Sequence, residues 1–336
     1  MSQVATNIIK DIKNKILSPI YFLQGDEPYF IDRISKTIED HVLTEDEKGF
    51  NQSVIYGNDV EISQIVALAK QFPMSGERQV IIVKEAQHLS RNIDGLEAYA
   101  ENPQSSTILV LNYKGKKLDG RMKLGKLIKK NGVLFDSPVV YDNQIPAFID
   151  GICKESGLTI DTKSKYMLTE FLGTDLGRIY NELQKLKIIV KDGNISPEII
   201  ERNIGISKDY NNFELQNAIE TRNAEKAFRI SKYFGQNPNQ NPLVVTLAVL
   251  FRLFSNLIIY HTLSDKTAQN VAKELGVSPY FVKTYQQAAS HYPLKKTTRI
   301  ISLLRDADVK SKGVGATGNI TQKEILDELI FKIMMN

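Results

Sequence analysis

The chain has 336 residues, room for two or three domains of ordinary size. An apolar fraction of 42% beside a charged fraction of 24% excludes disorder as the default, and a net charge of +4 permits contact with nucleic acid without predicting it. A single cysteine, Cys153, excludes a disulfide framework and fits a reducing compartment.

The pattern opens on Val4, Ile8, Ile9, Ile12 and Ile16, apolar at helical spacing and unlike the continuous core of a signal peptide. No run approaches the roughly 18 apolar residues of a membrane span, so a soluble, cytoplasmic protein is expected. The strand-like run Ile20–Leu23 ends in Gly25-Asp26-Glu27-Pro28, and Ile31, Ile34 and Ile38 supply the stripe of the helix that follows. The acidic run Glu45-Asp46-Glu47 reads as a solvated loop. Strand-like runs recur at 53–56, 80–83, 107–111 and 133–135, separated by helical patterns near 62–69, 93–102 and 121–130. Such alternation predicts an α/β domain with a mostly parallel sheet over 1–139.

After Ser137-Pro138 only helical periodicity is found. A small helical domain is expected over 140–210, including a long stretch from Thr174 to Val190 and a capped start at Ser196-Pro197-Glu198. A larger all-α domain is expected over 211–336, with helices near 212–234, 241–263, 267–275, 279–290, 295–312 and 320–335. The polar stretch 235–242 reads as a loop.

An α/β domain of this layout carries a phosphate loop after its first strand when it is an ATPase. Glycines there let backbone N–H groups cradle the phosphates, a lysine neutralises them, and a hydroxyl holds magnesium. Here the place reads Gly25-Asp26-Glu27-Pro28-Tyr29, with two acids, no lysine and no second glycine. Gly120-Arg121-Met122-Lys123-Leu124-Gly125-Lys126-Leu127 imitates the spacing, but Leu127 cannot ligate magnesium and the string doubles as a helix face. Glu85 follows the third strand, where an ATPase places its metal-binding aspartate, and is weak as a metal site by itself. His41, His88, His261 and His291 lack metal-ligand spacing, and Cys153 sits in an apolar helical setting. No catalytic, cofactor or metal residues are predicted.

Two segments raise nucleic acid as a partner. Residues 114–130 carry eight basic side chains against the single acid Asp119, and Lys116, Lys117, Arg121 and Lys123 are the candidate DNA contacts. The alternative is a solvated helix face. Thr267 to Gln286 has the spacing of a helix-turn-helix, with alanine at 272 and glycine at 276. Its second helix begins Pro279-Tyr280-Phe281-Val282, apolar where base-reading side chains would stand, so packing inside a bundle is expected.

Several strings together resemble the delta subunit of the bacterial DNA polymerase III clamp loader. They are Tyr21–Ile31, Phe72–Val83, Gly173–Leu186, Asn212-Phe213-Glu214-Leu215 with Phe251-Arg252-Leu253, and Ala307-Asp308 with Lys312-Gly313. The resemblance implies an AAA+-like N-terminal domain that does not hydrolyse ATP, a small helical domain, and a helical collar. The collar would assemble with the motor (tau/gamma) and delta-prime subunits. The first domain would grip the ring-shaped beta sliding clamp and hold one interface open for loading onto primed DNA. The implied clamp-binding residues are Phe72, Pro73, Met74 and Ser75, and ATP binding in neighbouring subunits would expose them. The same residues could instead cover the sheet edge. This chain departs from many relatives at Ser75, where a second bulky apolar residue is usual. An active AAA-type ATPase and a helix-turn-helix regulator are the competing readings.

Overall fold

The computed structural model of the chain describes residues 3–205, 207–314 and 320–335. It divides into two compact units, one ending at Tyr141 and one beginning at Asp142.

The first unit contains, in sequence, α1 (Gln3–Lys13), β1 (Ile20–Gly25), α2 (Pro28–His41), α3 (Glu45–Asn51) and β2 (Gln52–Tyr56). It continues with α4 (Ile62–Ala69), β3 (Gln79–Lys84), α5 (Glu97–Glu101), β4 (Thr107–Lys114), α6 (Lys123–Asn131) and β5 (Val133–Ser137). The five strands form one wholly parallel sheet in the order β2-β3-β4-β1-β5. The register sets Phe22 beside Leu111 and Ile81 beside Leu109. Their face packs on Ile65 of α4, Tyr99 of α5 and Leu124 and Ile128 of α6. Successive side chains alternate between faces, so Tyr21, Leu23, Ile82 and Val110 point the other way, where α2 packs with Ile31, Ile34 and Ile38 buried. A sheet covered on both sides explains why β1, β3 and β4 read as continuous apolar runs rather than as alternation.

The second unit begins with α7 (Ile145–Ser156), β6 (Thr159–Ile160), α8 (Thr162–Leu172), α9 (Leu176–Ile189), β7 (Asn194–Ile195) and α10 (Pro197–Ile204). Seven longer or shorter helices follow: α11 (Asn212–Glu220), α12 (Ala224–Gln236), α13 (Leu243–Thr262), α14 (Ala268–Leu275), α15 (Val282–His291), α16 (Leu294–Ser311) and α17 (Gln322–Met335). Leu250, Phe254 and Leu257 of α13 meet Ile300 and Leu304 of α16 and Ile330 and Ile333 of α17 in one core. Tyr166 of α8 packs edge-on against Phe281 at 4.4 Å and stacks on Phe213 at 6.0 Å. Beside them the buried carboxylate of Glu214 pairs with Lys163 at 2.7 Å and with Lys226. Burial works against its charge, but the two ammonium groups outweigh it and hold the Glu214 carboxyl below its usual range. The expected fold class, α/β followed by all-helical chain, is observed.

Five details differ from the sequence reading. Glu45-Asp46-Glu47 is the first turn of α3 rather than a loop, capped by Thr44 in a reciprocal box with Glu47; acids there favour the positive end of the helix. The predicted helix 212–234 is broken at 221–223. Arg222 adopts φ of 56°, and the Asn223 side chain caps α12 by accepting from Lys226 N at 3.0 Å. Strands β6 and β7 pair in parallel within a stretch expected to be wholly helical. In α1 the buried stripe is Ala5, Ile9 and Ile12, while Val4 and Ile16 are exposed. Finally, α13 is long and apolar enough to cross a membrane. Ten of its 20 residues are buried within the C-terminal core, which accounts for its composition.

Candidate functional site

The loop between α4 and β3 carries Phe72 and Met74 with 78% and 82% of their surfaces exposed. It does not dangle. Buried Asn51, the last residue of α3, accepts a hydrogen bond from Met74 N at 2.9 Å through Oδ1, which also faces Ser75 N at 3.5 Å. Its Nδ2 donates to the Ser75 carbonyl. Gly76 follows with φ of 72°, a conformation that disfavours any side chain, and a Cβ there would run into the Glu47 carboxylate. At the base, Gln79 Nε2 donates to the Gln71 carbonyl at 2.5 Å and to Thr107 Oγ1 at 2.8 Å, and Thr107 Oγ1 donates to the Ala69 carbonyl at 2.9 Å. The loop is thus pinned at apex and base by two buried amides, and its apolar side chains face water. Neither Asn51 nor Gln79 was singled out by sequence. Each is a lone polar residue beside a strand, with nothing local to mark its partner.

The turn after β1 is filled by its own chain. Gly25 has φ of 122°, and a Cβ there would meet the Ser137 backbone, 2.8 Å from its nitrogen and nearer to its carbonyl. Gly115 N donates to the Gly25 carbonyl at 2.9 Å, and Gly25 N donates to the Lys116 carbonyl at 3.2 Å. Gln24 Oε1 accepts from Leu118 N at 2.7 Å, and its Nε2 donates to Asp136 Oδ1 at 2.6 Å. Glu27 Oε1 caps α2 by accepting from Tyr29 N at 3.0 Å. A helix start that would otherwise offer its N–H groups to a phosphate therefore already holds a carboxylate.

At the end of β3, Glu85 sits in the left-handed region with φ of 52°. The Gln87 amide, then the Lys114 ammonium at 3.3 Å, hold its carboxyl below the usual range. Lys114 also pairs with Asp32 of α2 at 2.8 Å. Burial opposes the Lys114 charge, yet the two carboxylates raise its pKa. Among the described residues no group of three His, Cys, Asp or Glu side chains is arranged to hold a metal. Cys153 is buried and its thiol is pushed up to about 11 by burial, an unreactive state. His41, His261 and His291 each bond a main-chain oxygen of their own unit.

The basic segment is partly occupied. Lys116 Nζ donates to Ser90 Oγ at 2.8 Å, the Arg121 guanidinium pairs with Asp119, and Lys123 pairs with Glu97 at 3.3 Å. The same guanidinium holds the Asp119 carboxyl at about 2. Lys117, Lys126, Lys129 and Lys130 are exposed and, among the described residues, make no ion pair. Gly125 of the phosphate-loop imitation is buried against Gly120, where a Cβ would lie 2.6 Å from the Gly120 Cα, so its lack of a side chain serves packing. In the helix-turn-helix segment, Gly276 turns in the left-handed region and α15 buries Val282, Tyr285, Ala288 and Ala289. Phe281, just before it, lies against Tyr166. The start of that second helix is thus committed to packing.

Residues 21–137 match the family described as DNA polymerase III, delta subunit, and residues 209–333 match that described as DNA polymerase III delta subunit, C-terminal domain. The chain is similar to DNA polymerase III subunit delta of Bacillus subtilis (strain 168), at 26% identity over 339 residues, covering 98% of this chain and 96% of the relative. Its structure is similar to that of the Bacillus subtilis DNA clamp loader delta protein, with a TM-score of 0.57 at 25% identity, covering 99% of this chain and 100% of that one. Two domain matches to one family and a relative aligned over nearly the whole length lead to one conclusion: the chain belongs to the delta-subunit family of the DNA polymerase III clamp loader.

Proposed function

We propose that this subunit grips the beta sliding clamp through Phe72, Pro73, Met74 and Ser75 and holds one interface of the ring open for loading onto primed DNA. The observation that carries the reading is the pinned tip: two large apolar side chains, mostly exposed, on a loop held by Asn51 and Gln79. A preformed tip loses little entropy on docking, and each apolar side chain buried in a partner contributes roughly 1.5–3 kcal/mol. That range suits a reversible grip. Bare sheet-edge cover would leave Phe72 and Met74 packed on the protein, and both face water instead.

The subunit works without hydrolysing ATP itself. A triphosphate approaching α2 meets the Glu27 carboxylate and a turn closed by residues 115–118, and Glu85 is already neutralised by Lys114. The motor (tau/gamma) subunits supply ATP, and their binding of it exposes the tip. Residues 1–139 act as the clamp-binding domain and 140–210 as the small helical domain. Residues 211–336 form the collar that assembles with the motor and delta-prime subunits in the cytoplasm. DNA is met through the complex, with Lys116, Lys117, Arg121 and Lys123 as the candidate contacts of this chain.

The test is the affinity of the purified full chain for its own clamp without nucleotide. Met74→Ala and Phe72→Ala are expected to weaken it by about tenfold or more, with thermal melting unchanged. Wild-type affinity in both variants would remove the tip from the mechanism, and saturable ATP binding by the isolated chain would revive the ATPase reading.

A further inference from the structure

Phe50 is a large apolar residue of the first unit that none of the roles above uses. It is 67% exposed at the end of α3. On that helix Glu47, Phe50 and Asn51 follow at spacings of three and four, which places them on one face. The two flanking members already touch the tip: Asn51 bonds the backbone of Met74 and Ser75, and the Glu47 carboxylate closes against Gly76. Phe50 therefore stands on the side of α3 that meets the tip, beside Met74, and it is carried by a capped helix rather than by a loop. A mostly bare aromatic ring adjoining two mostly bare apolar side chains makes a continuous patch, of the kind that marks a protein contact.

We infer that Phe50 is a third anchor of the clamp grip, so that the surface offered to the clamp is Phe50, Phe72 and Met74 grouped around the Asn51 amide. The inference rests on the clamp-gripping reading and deepens it. It also accounts for Ser75. A hydroxymethyl group at that position buries little apolar area, and the phenyl ring of Phe50 restores that area from the neighbouring element. The apolar floor on the clamp must then extend past the tip toward α3, and its contacts with the ring should be insensitive to salt, because none of the three side chains carries charge.

The experiment uses the full chain and the purified sliding clamp of the same organism. Phe50→Ala is expected to lower affinity about tenfold with an unchanged melting temperature, and Phe50→Leu to keep most of the binding. The chain contains no tryptophan. Phe50→Trp therefore introduces a single indole, whose emission should shift to the blue when saturating clamp is added, measured against the same mixture with the wild-type chain. Wild-type affinity in Phe50→Ala alongside weakened Met74→Ala overturns the inference and leaves the tip reading standing. An indole spectrum unmoved by clamp does the same, as does a loss of self-association in Phe50→Ala with clamp affinity intact. A wild-type chain that does not bind the clamp overturns both readings.

Discussion

Asn51 turns a loop of apolar side chains into a fixed shape. Its amide donates to the Ser75 carbonyl and accepts from Met74 N, so one side chain satisfies both directions of the tip backbone. Asn51→Ala removes these bonds and is expected to cost about 1–3 kcal/mol of stability. It should also lower clamp affinity several-fold more than that loss of stability explains, because a free tip must be ordered on docking. Urea unfolding and clamp titration of the same variant separate the two effects; unchanged clamp affinity would show that the tip needs no preorganisation. The tip's composition, Phe-Pro-Met between a helix and a strand, was visible in sequence. The amide that holds it was not, because Asn51 lies 23 residues from Met74 and its bonds depend on how α3 and the loop meet.

The β1–α2 turn shows how one element loses a function. A helix start binds anions when its N–H groups are free, and Glu27 supplies an anion from the chain itself. The missing lysine and second glycine could be read directly from sequence; the strap formed by residues 115–118 could not. Gly25→Ala places a Cβ against the Ser137 backbone at a φ of 122°, and neither can yield cheaply. A loss of about 3 kcal/mol or more, or failure of the first unit to fold, is expected in denaturant unfolding. A stability within 1 kcal/mol of wild type would mean that the turn opens readily. Elements with a long periodic pattern, such as α9 and β4, were legible because their burial repeats many times. The two-residue strands β6 and β7 were not, since two residues carry no period, and the break at Arg222 depends on a single cap at Asn223.

Across the molecule, the helical unit carries one ionisable group that burial works against. Glu220 is buried, and desolvation pushes its carboxyl up to about 7 despite a hydrogen bond from Gln216. Below the ordinary carboxylate range both folded and unfolded chains are protonated there. As pH rises from about 4.5 the unfolded chain ionises first, so stability falls until about pH 7 and is level above it. Glu220→Gln abolishes this loss. The variant is expected to match the wild type near pH 4 and to exceed it at pH 8 by roughly 2–3 kcal/mol, at about 1.4 kcal/mol per unit of pKa. A difference that does not change between urea titrations at the two pH values would count against the buried carboxylate.

Local pattern alone settled the order of an α/β region followed by helices, the loss of phosphate-loop chemistry and the apolar tip, because each is written in neighbouring residues. Sheet order decided the rest. With β4 lying between β3 and β1, Gln24 meets Leu118 across 94 residues, and Lys114 comes within reach of both Asp32 and Glu85. Burial likewise decided that α13, apolar enough for a membrane, is a core helix. A hydrogen bond or ion pair depends on distance in space, and distance in space is set by which elements become neighbours, which periodicity does not encode.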